Sequence, residues 1–428
     1  MVRDQLNCLE DSMDLILRNA KFSDGAINDI GIEDGVIADV QPRLEAGTRL
    51  ELDAKNNLVI PAFVNGHLHA CKSFWREPLS RLPIGQGFDF KNTGSRFAAI
   101  AEVKRNYAVE DVMARAERSL RLAIRHGTGA IRLFADIDDD AGLRALEGLL
   151  ALRKKYANIL TVQVVAFPQN GVFRTRSSSE RLLKLALEMG VDALGGIPWL
   201  EPSEESQRAH VDLVLELALA HKLDAHFVLD DTEDPTSRTT EYVASRTITL
   251  EMHGRVHGTQ VNALAYYDDA HAARVIRLIR KAGMTIFSNA HVALVTTNVR
   301  HQPAPRGMTR VKELLEAGVP VATAQDDIDN PYYCFGRNDL LEVAQYMAHL
   351  AQLGWGDDPA KVLEMVTSVP AKVMRLEGYG LEVGCKANLT VLDASDWHDA
   401  VQFQAEKNLV ILNGKLAVRN ERNSEILI

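Results

Sequence analysis

The chain has 428 residues, a formal net charge of −10, 46% hydrophobic residues and 25% charged residues. This composition is typical of a soluble globular protein, and the negative charge argues against a nucleic-acid-binding surface. No apolar run reaches the roughly 18 residues of a transmembrane helix, and residues 1–17 carry acids without the long apolar segment of a signal peptide. The sequence therefore predicts a cytoplasmic protein that binds neither nucleic acid nor membrane. The cysteines are dispersed, which suits a reducing compartment: Cys8, Cys71, Cys334 and Cys385.

Both ends of the chain are rich in short predicted strands. Residues 14–60 contain half-alternating apolar runs with Asp-Gly pairs at 24–25 and 34–35, which are typical hairpin turns. The C-terminal stretch has the same pattern, with an Asn-Gly pair at 413–414. We expect 1–61 and 380–428 to form one small β-sandwich domain.

The middle of the chain, 62–379, alternates buried runs with amphipathic segments. The helical patterns have apolar residues at three- and four-residue spacing, as in 107–127, 208–222 and 270–283. The eight apolar runs are VIPAFVNGH, GAIRLFADI, NILTVQVVAF, VDALGGI, KLDAHFVL, EMHGRVHG, MTIFSNA and VPVATAQDD. This count predicts an α/β fold, a (β/α)₈ TIM-like barrel. An open doubly wound sheet is the alternative, but no GxGxxG loop follows the first run.

Polar residues at the ends of these runs predict a metal site, because barrel chemistry lies at the carboxyl ends of the strands. His67 and His69 are two residues apart, so both side chains of an extended strand point the same way and can reach one ion. We expect further ligands or catalytic groups at His226, which ends run 5, and His257, which ends run 6. Asp326 ends run 8. Imidazoles with a carboxylate suit Zn²⁺ or Fe²⁺.

Other residues near run ends are candidates for substrate binding. Gln169 follows run 3 and can offer an amide to a carbonyl or ring nitrogen, although the stretch also reads as a simple turn. Trp199 after run 4 either lines a pocket or packs in the core, and His291 follows run 7. His253 competes with His257 on run 6 but lies before the expected strand end. Three aromatic residues after run 1 either line the mouth of the site or pack: Phe74, Trp75 and Phe88.

These features together resemble the amidohydrolase superfamily, within it the cytosine deaminase and N-isopropylammelide amidohydrolase-like branch. The matching pieces run through essentially the whole chain: FVNGHLH, VVAFPQNG, GGIPWLEPS, DAHFVLDD, RGMTRVKELLEAGV and QDDIDNPYYCFGRND. The stretch at 380–395 is similar to that superfamily's return into its β-sandwich.

The resemblance implies roles for individual residues. It makes His67, His69, His257 and Asp326 the ligands of one divalent metal, Zn or Fe, with Mn as a further candidate. His226 would lie near the metal or its bound water, so His226 and Asp326 are the expected catalytic residues. Gln169 and Asp327 would touch the substrate, with Trp199 and His291 as further contacts: the expected substrate-binding set is Gln169, Asp327, Trp199 and His291.

Two departures from the cytosine deaminase pattern matter. That enzyme has a proton-shuttling glutamate three residues after the run 5 histidine, where this chain has Leu229, followed by Asp230. It also has a histidine at the position of Gln325. No lysine on run 4 is available to bridge two metals, which favours a single ion.

The sequence therefore predicts a metal-dependent hydrolase acting on a C–N bond of a small nitrogen heterocycle, by deamination or N-dealkylation, with Asp230 or Glu233 replacing the glutamate. The alternative is hydrolysis of a cyclic or linear amide, imide or carbamate, with Asp326 as sole proton shuttle and Leu229 as an apolar pocket wall. A non-catalytic binding protein is a minor alternative. The expected partner is a small nitrogen-containing substrate, and the resemblance implies a homo-oligomer.

Overall fold

The computed structural model describes residues 13–80, 93–174, 179–297 and 305–427. Within these residues the strands form two sheets of eight strands each. In chain order the strands are β1 (Leu15–Lys21), β2 (Ile27–Glu33), β3 (Val36–Gln41), β4 (Glu51–Asp53), β5 (Leu58–Pro61), β6 (Phe63–Leu68), β7 (Thr128–Asp136), β8 (Thr161–Phe167), β9 (Ala193–Gly196), β10 (Asp224–Leu229), β11 (Val256–Gln260), β12 (Thr285–Phe287), β13 (Val321–Ala322), β14 (Leu389–Leu392), β15 (Lys407–Leu412) and β16 (Lys415–Arg419).

One sheet is built from both termini, as predicted. Its strand order is β16-β15-β14-β5-β1-β2-β3, with β4 beside β1. The antiparallel pair of β5 and β14 joins the two ends of the chain, with Leu58 opposite Leu392. Leu17, Ile30 and Ile411 are buried in its core. The boundaries at 61 and 380 stay a prediction.

The other sheet confirms the predicted (β/α)₈ barrel. Strands β6 to β13 lie side by side in chain order and are parallel. All nine residues of β7 are buried, as expected for a parallel strand covered on both faces. The end of β6 meets the segment after β13 through a parallel bridge between Leu68 and Asp326.

Helices cover the outside of this barrel and alternate with its strands. The segment Asp269–Ala282 illustrates the sequence signals: Asp268 caps its start by accepting a hydrogen bond from the His271 backbone N–H at 2.9 Å, and Gly283 ends it with a φ of 66°. The helices are Arg76–Ser80, Thr93–Arg105, Val109–Arg125, Arg144–Tyr156, Ser179–Glu188, Glu204–Ala220, Thr239–Thr249, Asp269–Ala282, Ala290–Thr296, Val311–Glu316, Leu340–Leu350, Asp358–Glu364, Ser368–Val373 and Trp397–Phe403.

Two of the predicted runs differ from the observed strands. Run 1 divides at Ala62: β5 pairs with β14 in the terminal sheet, whereas β6 pairs with β7 in the barrel. Run 6 does not end at His257, because β11 continues to Gln260. Because β11 extends to Gln260, a residue of this strand other than His257 reaches the site described below.

In the part of the chain that the structure covers, no helix is both long enough and apolar enough to cross a bilayer.

Candidate metal centre and adjoining cavity

Three predicted ligands meet at the carboxyl end of the barrel. The His67 and His69 Nε2 atoms are 3.2 Å apart, and Asp326 Oδ1 lies 3.3 Å from the first and 3.6 Å from the second. Tetrahedral ligands with Zn–N and Zn–O bonds of about 2.0–2.1 Å are about 3.4 Å apart. The two imidazoles and the carboxylate therefore fit one divalent ion. They form a group of buried side chains able to hold a metal.

The backbone places Asp326 against the two histidines. Its N–H donates to the His67 carbonyl at 2.9 Å, and its carbonyl accepts from the His69 N–H at 2.8 Å. Asp326 has a φ of 63°, a left-handed conformation that residues other than glycine adopt infrequently and that is found at functional sites. The backbone contacts that close the barrel between β6 and the segment after β13 therefore also bring the three candidate metal ligands together.

Side-chain amides fix the orientation of the Asp326 carboxylate. Gln260 Nε2 donates to Asp326 Oδ2 at 2.6 Å and Asn289 Nδ2 donates to it at 3.0 Å, which leaves Oδ1 facing the histidines. Burial opposes ionisation of Asp326, but His67 and the Asn289 amide outweigh it and hold its pKa below the usual value. Sequence reasoning missed both Gln260 and Asn289.

His226 lies beside this cluster. Its Nε2 is 2.8 Å from Thr259 Oγ1, which is 3.1 Å from His67 Nδ1, and the rings of the two histidines are 5.2 Å apart. Arg132 Nη1 lies 3.5 Å from His226 Nδ1. Burial, together with His67 and Arg132, lowers the pKa of His226 well below its usual value. The structure places His226 next to the candidate metal centre, connected to it through Thr259.

The structure does not bring His257 into the cluster. His257 is the second residue of β11 and pairs in register with His226. Its Nε2 lies 4.0 Å from Asp224 Oδ2 at the start of β10. The residue of β11 that reaches the cluster is Gln260, whose φ of 72° turns its side chain to the same side as Thr259.

The physical cause is depth: by strand alternation His257 points to the same side of β11 as Thr259, but it lies two residues earlier and so further from the carboxyl end of the barrel. His253 is no better placed, since it precedes β11 and its Nδ1 lies 3.2 Å from the Ala282 carbonyl.

A cavity of about 350 Å³ opens beside the cluster, which is within the size range of small-molecule sites. His69 and Asp326 reach it, together with the predicted residues Gln169, Trp199 and Asp327. Its other lining residues are Lys72, Phe167, Ile197, Leu200, Val228, Asp231, Thr232, Glu233, Gln260, Val292, Thr296, Thr297 and Tyr332.

Two residues near Asp326 have different environments. Burial and the neighbouring Asp326 raise the pKa of Asp327 to about 8. His291, predicted to touch substrate, is absent from the cavity lining. Its Nε2 lies 3.1 Å from the Gln325 carbonyl, and its ring stacks on Tyr346. His291 thus packs behind the segment that carries Asp326.

Gln325 occupies the position of a deaminase histidine but does not turn to the candidate metal. Its Nε2 donates to the Asp327 carbonyl at 3.0 Å, and its Oε1 accepts from the Asn338 N–H at 2.9 Å. Its amide therefore holds the loop after β13.

The end of β10 also differs from the prediction. Leu229 is fully buried in the main core rather than in the cavity wall, and Val228 lines the cavity instead. The Asp230 carboxylate accepts hydrogen bonds from Thr239 and Thr240 at the start of the helix Thr239–Thr249. The acids of this loop that face the cavity are accordingly Asp231 and Glu233.

The aromatic residues after run 1 have a structural role where they are described. Phe74 and Trp75 are buried in the main core. Phe88 lies outside the described residues.

Sequence reasoning missed a buried lysine in the cavity. Lys72 Nζ is 3.0 Å from Asp136 Oδ1 and 3.2 Å from His69 Nδ1, and it donates a hydrogen bond to Gln169 Oε1. Asp136 in turn pairs with Lys104 at 2.6 Å. Burial opposes the charge on Lys104, but Asp136 and Asp138 outweigh it and raise its pKa well above the usual value. The available signal was a lysine three residues after His69 within an apolar stretch.

Comparison with known proteins agrees with this arrangement. A model of the amidohydrolase family matches residues 50–418. N-isopropylammelide isopropyl amidohydrolase of Pseudomonas sp. strain ADP is 30% identical over 426 residues, which is 95% of this chain and 98% of that protein. Pterin deaminase of Rhizobium rhizogenes is 29% identical over an alignment that spans 92% of this chain and 88% of that protein.

Solved structures give the same relationship. The 5-methylcytosine deaminase from Klebsiella pneumoniae liganded with 5-fluorocytosine has a TM-score of 0.90 at 28% identity, covering 96% of this chain and 99% of that one. The N-isopropylammelide isopropylaminohydrolase from Burkholderia multivorans has a TM-score of 0.80 at 26% identity, covering 95% and 98%. This chain belongs to the amidohydrolase family and is a hydrolase of carbon–nitrogen bonds.

Proposed function

We propose that this protein hydrolyses the bond between a small nitrogen heterocycle and an exocyclic amino or alkylamino group, releasing ammonia or an amine. The observation that carries the proposal is the shared cavity: the cluster of His67, His69 and Asp326 opens onto the same space as an amide, Gln169, and an ammonium, Lys72. The relatives named above are described as acting on ammelide, pterin and cytosine rings.

The apolar lining of the cavity suits a heterocyclic ring. Phe167, Ile197 and Val228 belong to one apolar cluster, with Trp199 packed against it, and all four line the cavity. Apolar and aromatic walls with few polar groups are typical of sites for small organic ligands.

The candidate metal site would supply one part of the chemistry. His67, His69 and Asp326 would hold a divalent ion, and the chemistry that such an ion would supply is activation of water for attack near neutral pH. Zn²⁺, Fe²⁺ and Mn²⁺ all accept nitrogen and oxygen ligands, so metal analysis has to identify the ion.

The remaining steps belong to side chains of the cavity. A ring that loses an amino group must gain a proton on a ring nitrogen and on the departing nitrogen. Asp231, Glu233 and Asp327 place carboxylates in the cavity for this work. Asp230 is not a candidate, because the start of a helix uses its carboxylate. His226, adjacent to His67, is proposed to position the site through Thr259.

The alternative predicted from the sequence is amide hydrolysis. That alternative depended on an apolar residue, Leu229, lining the pocket after His226 in place of an acid. Leu229 is outside the cavity, whereas Asp231 and Glu233 line it. We therefore favour amine release.

The test is a substrate panel on protein loaded with a defined metal. We expect ammonia or alkylamine release from aminopyrimidines, aminotriazines or aminopteridines, at a rate that depends on the added Zn²⁺, Fe²⁺ or Mn²⁺. Ring opening of hydantoins or cyclic imides without amine release would overturn the proposal in favour of amide hydrolysis. Binding of these rings without any turnover on any metal would indicate a non-catalytic binding protein.

A further inference from the structure

A buried carboxylate–imidazole pair lies behind the part of the cavity wall that follows β9. Glu201 Oε1 lies 2.7 Å from His210 Nδ1, and both side chains are completely buried. Glu201 follows the short turn Pro198–Leu200, and His210 belongs to the helix Glu204–Ala220. Neither residue is among those that line the cavity. Any influence of this pair on the site must therefore act through the backbone.

The hydrogen bonds of His210 fix its tautomer. The Ile197 N–H donates to His210 Nε2 at 3.3 Å, and because a backbone N–H can only donate, Nε2 carries no proton. The proton of the neutral ring is then on Nδ1, which donates it to Glu201. Burial lowers the pKa of His210 although Glu201 opposes this effect, so the ring stays neutral. The imidazole thus joins the residue after β9 to Glu201.

The turn that carries Trp199 is consequently held at both ends by one imidazole. Ile197 precedes this turn and Glu201 follows it, and both bind His210. Ile197, Trp199 and Leu200 all line the cavity. The wall that these three residues form is therefore tied to a side chain that lies outside the cavity.

Glu201 also binds the backbone of the loop after β8. Its Oε1 accepts hydrogen bonds from the N–H groups of Val172 at 2.5 Å and Phe173 at 3.1 Å. Gly171 allows this close approach, because its φ is 84° and a Cβ there would lie 2.8 Å from Glu201 Oε1. Burial raises the pKa of Glu201, but the donors, His210 foremost, outweigh it and hold the pKa below the usual value. One carboxylate therefore connects the segments that follow the neighbouring strands β8 and β9.

We infer that Glu201 and His210 are positioning residues, which hold the Trp199 turn in place and thereby set the affinity of the cavity for its substrate. Both act through the backbone of the turn and touch no reacting atom. The effect on turnover rests on the proposed function, whereas the effect on Trp199 is measurable without any ligand.

Fluorine NMR of protein labelled with 5-fluorotryptophan reports the surroundings of Trp199 directly. The four tryptophans of the chain are Trp75, Trp199, Trp355 and Trp397, and Trp199→Phe identifies the resonance of interest. His210→Leu removes the donor and the acceptor together, so it should shift or broaden the Trp199 resonance and leave the other three in place. An unchanged Trp199 resonance in a folded variant would overturn the inference.

Two further variants separate hydrogen bonding from a general loss of stability. His210→Gln keeps one donor and one acceptor in a neutral side chain, so it should restore the Trp199 resonance. A result equal to that of His210→Leu would overturn the inference. The matched control is His126→Leu, because His126 Nδ1 lies 3.5 Å from Asp339 Oδ2 and the residue does not line the cavity. This control should keep the Trp199 resonance of the unmodified protein.

A measurement on the unmodified protein guards against a folding defect in His210→Leu. Nitrogen NMR of protein with ¹⁵N-labelled histidine should show the proton of His210 on Nδ1, with the resonance assigned through His210→Gln. A proton on Nε2 would exclude the hydrogen bond from Ile197 and overturn the inference.

Steady-state kinetics test the effect on affinity, with the aminopyrimidine, aminotriazine or aminopteridine that the substrate panel identifies. His210→Leu should raise KM by roughly 10-fold and change kcat by less than about 3-fold, because the wall binds the ring equally in the ground state and the transition state. A decrease in kcat at unchanged KM would overturn the inference.

The two kinds of measurement distinguish failure of this inference from failure of the proposed function. An unchanged Trp199 resonance in His210→Leu, together with amine release from a ring, would overturn the inference and leave the proposed function standing. The expected change in the resonance, in a protein that releases amine from no ring, would support the positioning role and overturn the proposed function.

Discussion

The two carboxylate oxygens of Asp326 contact different groups. Oδ1 faces His67 and His69, while Gln260 and Asn289 hold Oδ2. Partners of this kind fix the direction of a metal-binding carboxylate. The position of one side chain thus depends on residues from three other strands or strand ends.

At this scale we expect Asp326→Ala to abolish turnover and metal binding while the protein still folds, because the variant removes one of the three ligand atoms. Metal content after dialysis, turnover and the thermal unfolding midpoint are the measurements. The control is His257→Gln, which changes an equally buried histidine outside the cluster and should retain the metal. Asp326→Ala with most of its activity, or His257→Gln without metal, would contradict this assignment.

At the end of β10, neighbouring residues face different surroundings, so some contribute to stability and others to the cavity. Val228 faces the cavity and Leu229 the core, as strand alternation requires. The backbone then leaves the strand at Asp230, with a φ of 42°. As a result Asp230 turns to the following helix, and Asp231 lines the cavity.

We therefore expect neighbouring acids to respond differently to alanine. Asp230→Ala should lower the free energy of unfolding by about 2 kcal/mol, since it leaves the N–H groups of Thr239 and Thr240 without their buried acceptor. Asp231→Ala should lower kcat/KM and change the free energy of unfolding far less. Urea unfolding and steady-state kinetics on both variants check this, and the reverse pattern would refute the distinction.

At the scale of the whole molecule, a buried charged cluster joins the barrel to the terminal sheet. Asp339 starts the helix Leu340–Leu350, and its Oδ2 lies 2.8 Å from Lys407 Nζ of β15 and 3.5 Å from His126 Nδ1. Burial is the main cause that lowers the pKa of His126 to about 4; Asp339 opposes it, and Lys407 and Arg337 assist it.

This depressed pKa predicts a pH dependence of stability. As the pH falls, the unfolded chain protonates His126 near pH 6.5, whereas the folded chain resists protonation until about pH 4. The free energy of unfolding should consequently be about 2 kcal/mol lower at pH 5 than at pH 7.5 on account of this residue. Urea unfolding at the two pH values, with His126→Gln as the comparison, measures it. The variant should lose that part of the decrease, and an identical decrease in both proteins would exclude His126 as its source.

The sequence by itself determined the parts of this protein that depend on local periodicity. Eight apolar runs between helical patterns predicted the barrel, and the two-residue spacing of His67 and His69 predicted that they share an ion. Asp326 was identifiable because a carboxylate at the end of a buried strand needs a cation or donors. The return of the C-terminus into the N-terminal sheet was also visible in the turn residues.

Only the tertiary structure decided which side chains reach the site where periodicity fails or where partners are distant. The left-handed backbone at Gln260 brings that residue to Asp326 and leaves His257 deeper in the barrel. Lys72 and Asp136 are 64 residues apart in the chain, so no local pattern joins them. The ion pair with buried Asp136 holds Lys72 in the cavity wall. This burial arises only in the folded chain, so the sequence does not reveal it.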